Sequence, residues 1–169
     1  RATKKVSTLI KFIAVFSGDT ILEHAYWGQT ALQSTFVRYV AKVKLTHPHR
    51  PLYWYLISKG YKTYLLLSRN FATYYPRHDV ETPAFERSIL DLLSTDKYGE
   101  AYVPSEGVLR FETCQGRLKQ GVAPIDTGLL ERPDIRFFVG KNPGHAKGDE
   151  LCCLGRVDSG LVVRFTSRL

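Results

Sequence analysis

The sequence predicts an α+β protein: one domain spanning residues 1–169, with a mixed, curved sheet and helices on its faces. Three features carry this prediction. Residues 52–57 form a continuous apolar and aromatic run, which is typical of a strand buried on both faces. Segments around this run have apolar residues at helical spacing. The last third of the chain has short β-branched segments separated by Gly and Pro, which favour strands and turns.

The first third alternates strands and helices. Residues 6–16 are rich in β-branched and aromatic side chains and predict a strand. Thr30 is a suitable cap for a helix that runs to about Thr46, because apolar residues then recur at helical spacing. Pro48 ends this helix, since the residue before a proline is driven out of the α region. The buried strand at residues 52–57 follows.

Two more helices are predicted next. Residues 61–75 predict a mostly buried helix that ends at Pro76. Thr82 and Pro83 predict the start of another, to about Asp96, because a capping hydroxyl precedes a proline at the first helical position.

The rest of the chain is predicted to be β-rich. A loop at residues 141–148, which contains Asn, Pro and Gly, predicts a surface hairpin turn. No internal repeat and no long polar linker indicates a second domain. The predicted strands lie at residues 108–113, 118–123, 135–139, 151–157 and 161–165.

Composition predicts a soluble, cytoplasmic protein. No apolar run approaches the roughly 18 residues that cross a bilayer, and no leader-peptide pattern follows the basic residues 1–5. Three cysteines, two of them adjacent, are not a disulfide framework; they indicate small core residues in a reducing compartment. The chain has no methionine, even at position 1, which indicates a fragment or a trimmed chain.

The net charge of +8 lies in one third of the chain. Residues 24–78 contain no Asp or Glu, whereas elsewhere sixteen basic residues balance sixteen acidic ones. Such a field attracts a phosphorylated cofactor, a nucleic acid or an acidic membrane surface. No helix combines a basic face with the apolar face that membrane-surface binding needs. The basic residues are Arg38, Lys42, Lys44, Arg50, Lys59, Lys62, Arg69 and Arg77.

An anion site is predicted where the first helix begins. Gly28, Gln29, Thr30 and Ala31 would present main-chain N–H groups to a ligand, and the helix dipole adds to their attraction for phosphate. Arg38 lies farther along the same helix.

The order of elements over residues 6–75 resembles the core of the GNAT superfamily of N-acyltransferases. The family's loop pattern is Gln/Arg-x-x-Gly-x-Gly/Ala, and residues 25–30 here read Ala-Tyr-Trp-Gly-Gln-Thr. Gly28 matches, but the first and last positions do not. The family also places several elements before this core, whereas about five residues precede the first predicted strand here. The segments at residues 60–77 and 137–151 resemble uncharacterised bacterial proteins.

The resemblance implies acyl transfer from an acyl-CoA co-substrate to a small-molecule amine, without a metal. Gly28, Gln29 and Thr30 would hold the pyrophosphate. Tyr61 or Tyr64 would protonate the departing thiolate, and Glu23 or His24 would accept the amine proton. The alternative for either tyrosine is core packing.

Two other clusters of polar residues are weaker candidates for a functional site. His145 lies near Asp149, Glu150, Cys152 and Cys153, the residue types of a thiol hydrolase, although a surface turn is the simpler interpretation. His47 and His49 lack convincing further ligands, so no metal is expected.

The alternative function is a non-enzymatic nucleic-acid-binding module, because basic and aromatic residues alternate over residues 24–78. That function requires the basic side chains to share one open face, with an aromatic exposed for stacking. The cations concerned are Arg38, Lys42, Lys44, Arg50, Lys59 and Lys62.

Overall fold

The computed structural model describes residues 11–17, 31–111, 124–158 and 160–161, with the main chain alone at residues 31–34 and 37. Within these residues, one sheet of six strands is flanked by five helices. The strands are β1 (Ile13–Ser17), β2 (Leu52–Ser58), β3 (Tyr74–Tyr75), β4 (Tyr102–Val103), β5 (Val108–Leu109) and β6 (Glu150–Val157). The helices are α1 (Ala31–Thr46), α2 (Tyr61–Asn70), α3 (Ala84–Tyr98), α4 (Thr127–Leu130) and α5 (Pro133–Lys141).

The sheet is organised around β6. β6 runs antiparallel to β2, from the Ser58–Leu151 pair to the Leu52–Val157 pair. On its other side, β6 pairs first with β5 and then with β3. β1 adds to the outer side of β2 in the parallel direction, and β4 pairs with β5. The predicted α+β class and mixed sheet are therefore confirmed.

β2 and β6 are buried on both faces, and their side chains alternate between two cores. Leu151 and Cys153 point to the side where α1, α2 and α5 pack, which we call the three-helix face. Cys152 and Leu154 point to the opposite side, the α3 face. The adjacent cysteines thus serve different cores, as the period of two of a strand requires.

α1 matches its prediction to within one residue. Its inward side is apolar, with Val40 buried and Phe36 and Val43 packed against the core. Beyond its end, the Lys44 Nζ donates to the carbonyl oxygens of Pro48 and Arg50, at 3.1 and 3.2 Å. A cation at this position also complements the negative end of the helix dipole.

The helix predicted over residues 61–75 is too long. α2 ends at Asn70, and Phe71 adopts an extended conformation. Tyr74 and Tyr75 instead form β3, opposite Gly155 and Leu154. β5 covers only the first two residues of β6, so the remaining N–H and C=O groups on that side need a partner. Tertiary pairing therefore overrides the helical pattern of the aromatic residues.

The strand predicted at residues 135–139 is wrong, because this segment lies in α5. Pro133 occupies the start of the helix and Asp134 its first turn, both standard start signals. Ile135 and Phe138, three residues apart, are fully buried. The predicted hairpin at residues 141–148 is instead a short 3₁₀ turn (His145–Lys147) between α5 and β6.

Two other predicted strands are described only in part. The strand at residues 108–113 is present as β5, Val108–Leu109, and residues 112–123 lie outside the described part. Leu161, predicted to start a strand, lies in a helical turn instead. Its main-chain N–H donates to the Asp158 carboxylate at 2.6 Å, which is a helix-capping contact.

Gly155 provides a test of the contact between α2 and the sheet. A Cβ atom at Gly155 would lie 2.8 Å from Leu67 Cδ2 and 2.8 Å from Phe71 Cδ1. We expect Gly155→Ala to lower the free energy of unfolding by about 1–3 kcal/mol through overpacking. Gly140→Ala is the matched control: it lies in α5 with nothing within 4 Å of its Cβ, and should stabilise by about 0.5–1 kcal/mol. Equal urea midpoints for the two variants would contradict this packing.

Candidate functional site

Parallel pairing of β1 and β2 brings their carboxyl ends to one edge of the sheet, which we call the carboxyl edge. β1 ends there at Ser17 and β2 at Ser58. Because β6 is antiparallel to β2, it begins at the same edge, at Glu150. In α/β sheets, ligands bind beyond the carboxyl ends of parallel strands.

α1 directs its amino end toward the carboxyl edge. It returns from β1 to the start of β2, and its last turn is tied to the segment at Pro48 and Arg50 that precedes β2. The opposite end, at Ala31, therefore points back toward the edge where β1 ends. The first turn of α1 contains no acidic residue. No carboxylate of the helix itself can therefore compete with a ligand for the N–H groups of this turn.

The predicted anion-site residues are only partly described. Glu23, His24, Gly28, Gln29 and Thr30 lie outside the described residues. Ala31 is the first residue of α1, and Arg38 is exposed two turns farther along.

Tyr61 and Tyr64 are both buried in the core of the three-helix face, as the packing alternative predicts, but their hydroxyl groups have different partners. Tyr61 is the first residue of α2, two positions after Lys59 at the carboxyl edge. It is 8% exposed, and its hydroxyl forms no hydrogen bond with a described residue. Tyr64 is 0% exposed, and its hydroxyl donates to the Pro76 carbonyl oxygen at 3.0 Å.

The Tyr64 ring is part of the core. It packs against Tyr74, Phe137 and Phe138, with ring centroids 5.7 to 6.3 Å apart. Burial raises the pKa of Tyr64 far above its usual value, and the Cys153 thiol adds to the shift. A phenol held neutral this strongly is a poor proton donor, so the geometry favours Tyr61 over Tyr64 as an acid at this edge.

Lys59 and Glu150 form an ion pair at the carboxyl edge. The Lys59 Nζ lies 3.3 Å from the Glu150 Oε1, across the neighbouring strands β2 and β6. The side chains are only 13% and 3% exposed. Because removing two charges from water costs free energy, a buried ion pair of this kind does not by itself stabilise the fold. It marks a polar position at the end of an otherwise apolar sheet. Sequence reasoning placed Lys59 among surface cations and missed this partner.

The His145 loop is held together by its own hydrogen bonds. The His145 Nδ1 lies 2.9 Å from the Asn142 carbonyl oxygen, and its ring contacts Phe138. The Asn142 side chain donates to the Asp149 carbonyl oxygen at 2.9 Å. Arg110 donates to the Asp149 carboxylate at 3.1 Å. These contacts stabilise the turn into β6.

The two described thiols are poor nucleophiles. Burial raises the pKa of Cys152 to about 11 and that of Cys153 well above its usual value. Tyr55 and Cys152 are in contact at 3.7 Å, inside the α3-face core. No hydrogen bond joins His145 to either thiol among the described residues, so this part of the chain offers no thiol-hydrolase site.

Residues 24–78, which contain no Asp or Glu, are called the acid-free segment, and three of its basic residues are engaged as follows. Lys44 is engaged by main-chain carbonyls, Lys59 by Glu150, and Arg77 by Asp79. The others are exposed. The exposed group comprises Arg38, Lys42, Arg50, Lys62 and Arg69.

No group of three His, Cys, Asp or Glu side chains suited to a metal occurs among the described residues, which include His47 and His49. None of the described helices is both long and apolar enough to cross a bilayer. Comparisons with protein-family models, with curated proteins and with solved structures find no match to this chain.

A pair of phenylalanine substitutions tests the two tyrosine environments. Tyr64→Phe would leave the buried Pro76 carbonyl without its donor, so we expect it to lower the free energy of unfolding by about 1–3 kcal/mol. Tyr61→Phe removes a hydroxyl without a described partner, and its effect should stay within about 0.5 kcal/mol. Urea denaturation of both variants measures the difference. A larger loss for Tyr61→Phe would reverse these assignments.

Proposed function

We propose that this chain is a coenzyme A-dependent N-acyltransferase, which transfers an acyl group from an acyl-CoA thioester to an amine. One observation carries the proposal: β1, α1 and β2 form a parallel strand–helix–strand unit whose helix directs its amino end to the carboxyl edge. The resemblance to GNAT N-acyltransferases implies this strand–helix–strand order, with the second strand splayed from the first, whereas β1 and β2 here stay paired from Ile13–Leu52 to Ser17–Leu56. Such a unit is also a general way to bind phosphate through main-chain N–H groups.

The acid-free segment supports an anionic co-substrate. Acyl-CoA carries several negative charges, and neither α1 nor α2 contains an acidic residue to repel them. Gly28, Gln29, Thr30 and Ala31 would bind the pyrophosphate. Arg38, exposed on α1, would meet a further phosphate.

The transfer would be direct. The amine nitrogen attacks the thioester carbonyl carbon, so a C–N bond forms and the C–S bond breaks. Glu23 or His24 would take the proton that the amine loses. Tyr61 would give a proton to the departing thiolate. Tyr61 is preferred to Tyr64 because it lies at the carboxyl edge and its hydroxyl is not bound to a main-chain carbonyl.

Co-substrate binding is the first test. Isothermal titration with acetyl-, octanoyl- and palmitoyl-CoA should show saturable micromolar binding of at least one of them, and the preferred chain length would define the acyl group. Gly28→Asp should abolish it, because a carboxylate would repel the pyrophosphate and crowd the loop. The control variant Ser88→Asp adds the same charge to α3, on the opposite face of the sheet, and should bind acyl-CoA as the unmodified protein does. Absence of binding to all three compounds would refute the proposal.

Turnover tests the role of Tyr61. Thiol release from the preferred acyl-CoA would be followed with a panel of amino acids, polyamines and aminosugars. We expect Tyr61→Phe to lower kcat by about 100-fold or more with the best amine, without changing the Kd for acyl-CoA. Tyr64→Phe should retain turnover at temperatures where it stays folded. If Tyr61→Phe keeps full activity, another group protonates the thiolate.

A further inference from the structure

α1 and α2 present their outward sides on the same face of the molecule. Trp54 lies between them on β2: its ring centroid is 4.8 Å from that of Phe36 on α1 and 5.5 Å from that of Phe71, which directly follows α2. Both helices therefore pack on the three-helix face. Their outward side chains face the solvent together.

The outward side of each helix is basic. Arg38 and Lys42 lie one turn apart on α1, and Lys62 and Arg69 lie two turns apart on α2; all four are exposed. We call these four residues the basic face. Neither helix contains an Asp or a Glu, and Arg38, Lys42 and Arg69 form no ion pair with any described residue.

Tyr39 adds an aromatic ring to the basic face. It follows Arg38 directly and is 56% exposed, whereas the eight other described tyrosines are buried or half-buried. An exposed ring beside cations is the combination that binds unpaired bases, because the bases stack on the ring while the cations contact phosphates.

We propose that the basic face is a binding surface for single-stranded nucleic acid, with Tyr39 as its stacking residue. This inference uses the outward side chains of α1 and α2 rather than the carboxyl edge, and Arg38 is the one residue that it shares with the acyltransferase proposal. It also differs from the surface that the sequence predicts: Lys44 and Lys59 are engaged elsewhere, and Arg69 takes part. The apolar residues Leu45 and Leu66 are exposed singly, which does not suit insertion into a lipid surface.

Fluorescence anisotropy with a labelled oligothymidylate tests the proposal. We expect saturable binding whose logarithmic affinity falls with logarithmic salt concentration by about 0.7 for each phosphate contacted. The double variant Lys42→Gln with Arg69→Gln, which removes one cation from each helix, should weaken binding at least about tenfold and reduce the salt slope by about 1.4. Tyr39→Ala should weaken binding about fivefold or more.

The matched control removes the same charge from the other face. Arg87→Gln with Lys97→Gln alters α3, so it should change the affinity far less than the Lys42 and Arg69 pair. If the two double variants lost the same amount of affinity, net charge alone would account for binding, and the proposal would be overturned. Absence of binding, or tighter binding to anionic lipid vesicles or polyglutamate than to the oligonucleotide, would also overturn it. Thermal melting of each variant establishes that it is folded.

Discussion

The register between β2 and β6 is the constraint on which the rest of the structure depends. Seven residue pairs join the two strands, and both strands are buried on both faces. A shift by one residue would turn every side chain to the opposite face. Cys152 and Leu154 would then meet α2 and α5, and Gly155 would no longer lie beneath Leu67 and Phe71. The fit between α2 and a single glycine therefore helps to select the register.

The same register determines what lies at the carboxyl edge. It brings Glu150 next to Lys59, two residues that are 91 positions apart in the chain. It also places the start of β6 beside the end of β2, where α2 begins with Tyr61. An ion pair and a buried phenol thus occur where an otherwise apolar sheet ends. In α/β sheets, ligands bind beyond this end of the parallel strands.

Sequence patterns correctly predicted two helices, α1 and α3, that have a proline next to one end. Pro48 follows α1, and Thr82 and Pro83 precede α3, which begins at Ala84. The predicted cap of α3 is wrong in detail, because Pro83 itself takes the cap position and no side chain caps the helix. The continuous apolar runs of β2 and β6 were also recognisable. Two errors arose where aromatic residues suit either structure: Tyr74 and Tyr75 joined the sheet, and Phe137 and Phe138 joined a helix. In the second case, Pro133 and Asp134 indicate the start of a helix. The prediction instead followed the β-branched residues Ile135 and Val139, which favour a strand.

The candidate site was less predictable than the fold. Tyr61 and Tyr64 are one turn apart, and nothing local distinguishes them. Their difference arises from the Pro76 carbonyl, which accepts from the Tyr64 hydroxyl, and from Phe138 of α5, whose ring packs against that of Tyr64. The partner of Lys59 depends on strand pairing in the same way. Sequence composition identified the acid-free segment, but the contacts of Lys44, Lys59 and Arg77 follow from the folded chain.

One helix, α1, contributes to both proposed sites, which have Arg38 in common. Its dipole and unpaired N–H groups act along the helix axis at the carboxyl edge, and their influence is confined to the first turn. The side chains of Arg38, Tyr39 and Lys42 project radially, about two to three turns from the amino end. Acidic residues anywhere on α1 would weaken both attractions, whereas their absence serves both. The lack of Asp and Glu over residues 24–78 is therefore what two anion-binding functions on one strand–helix–strand unit would require.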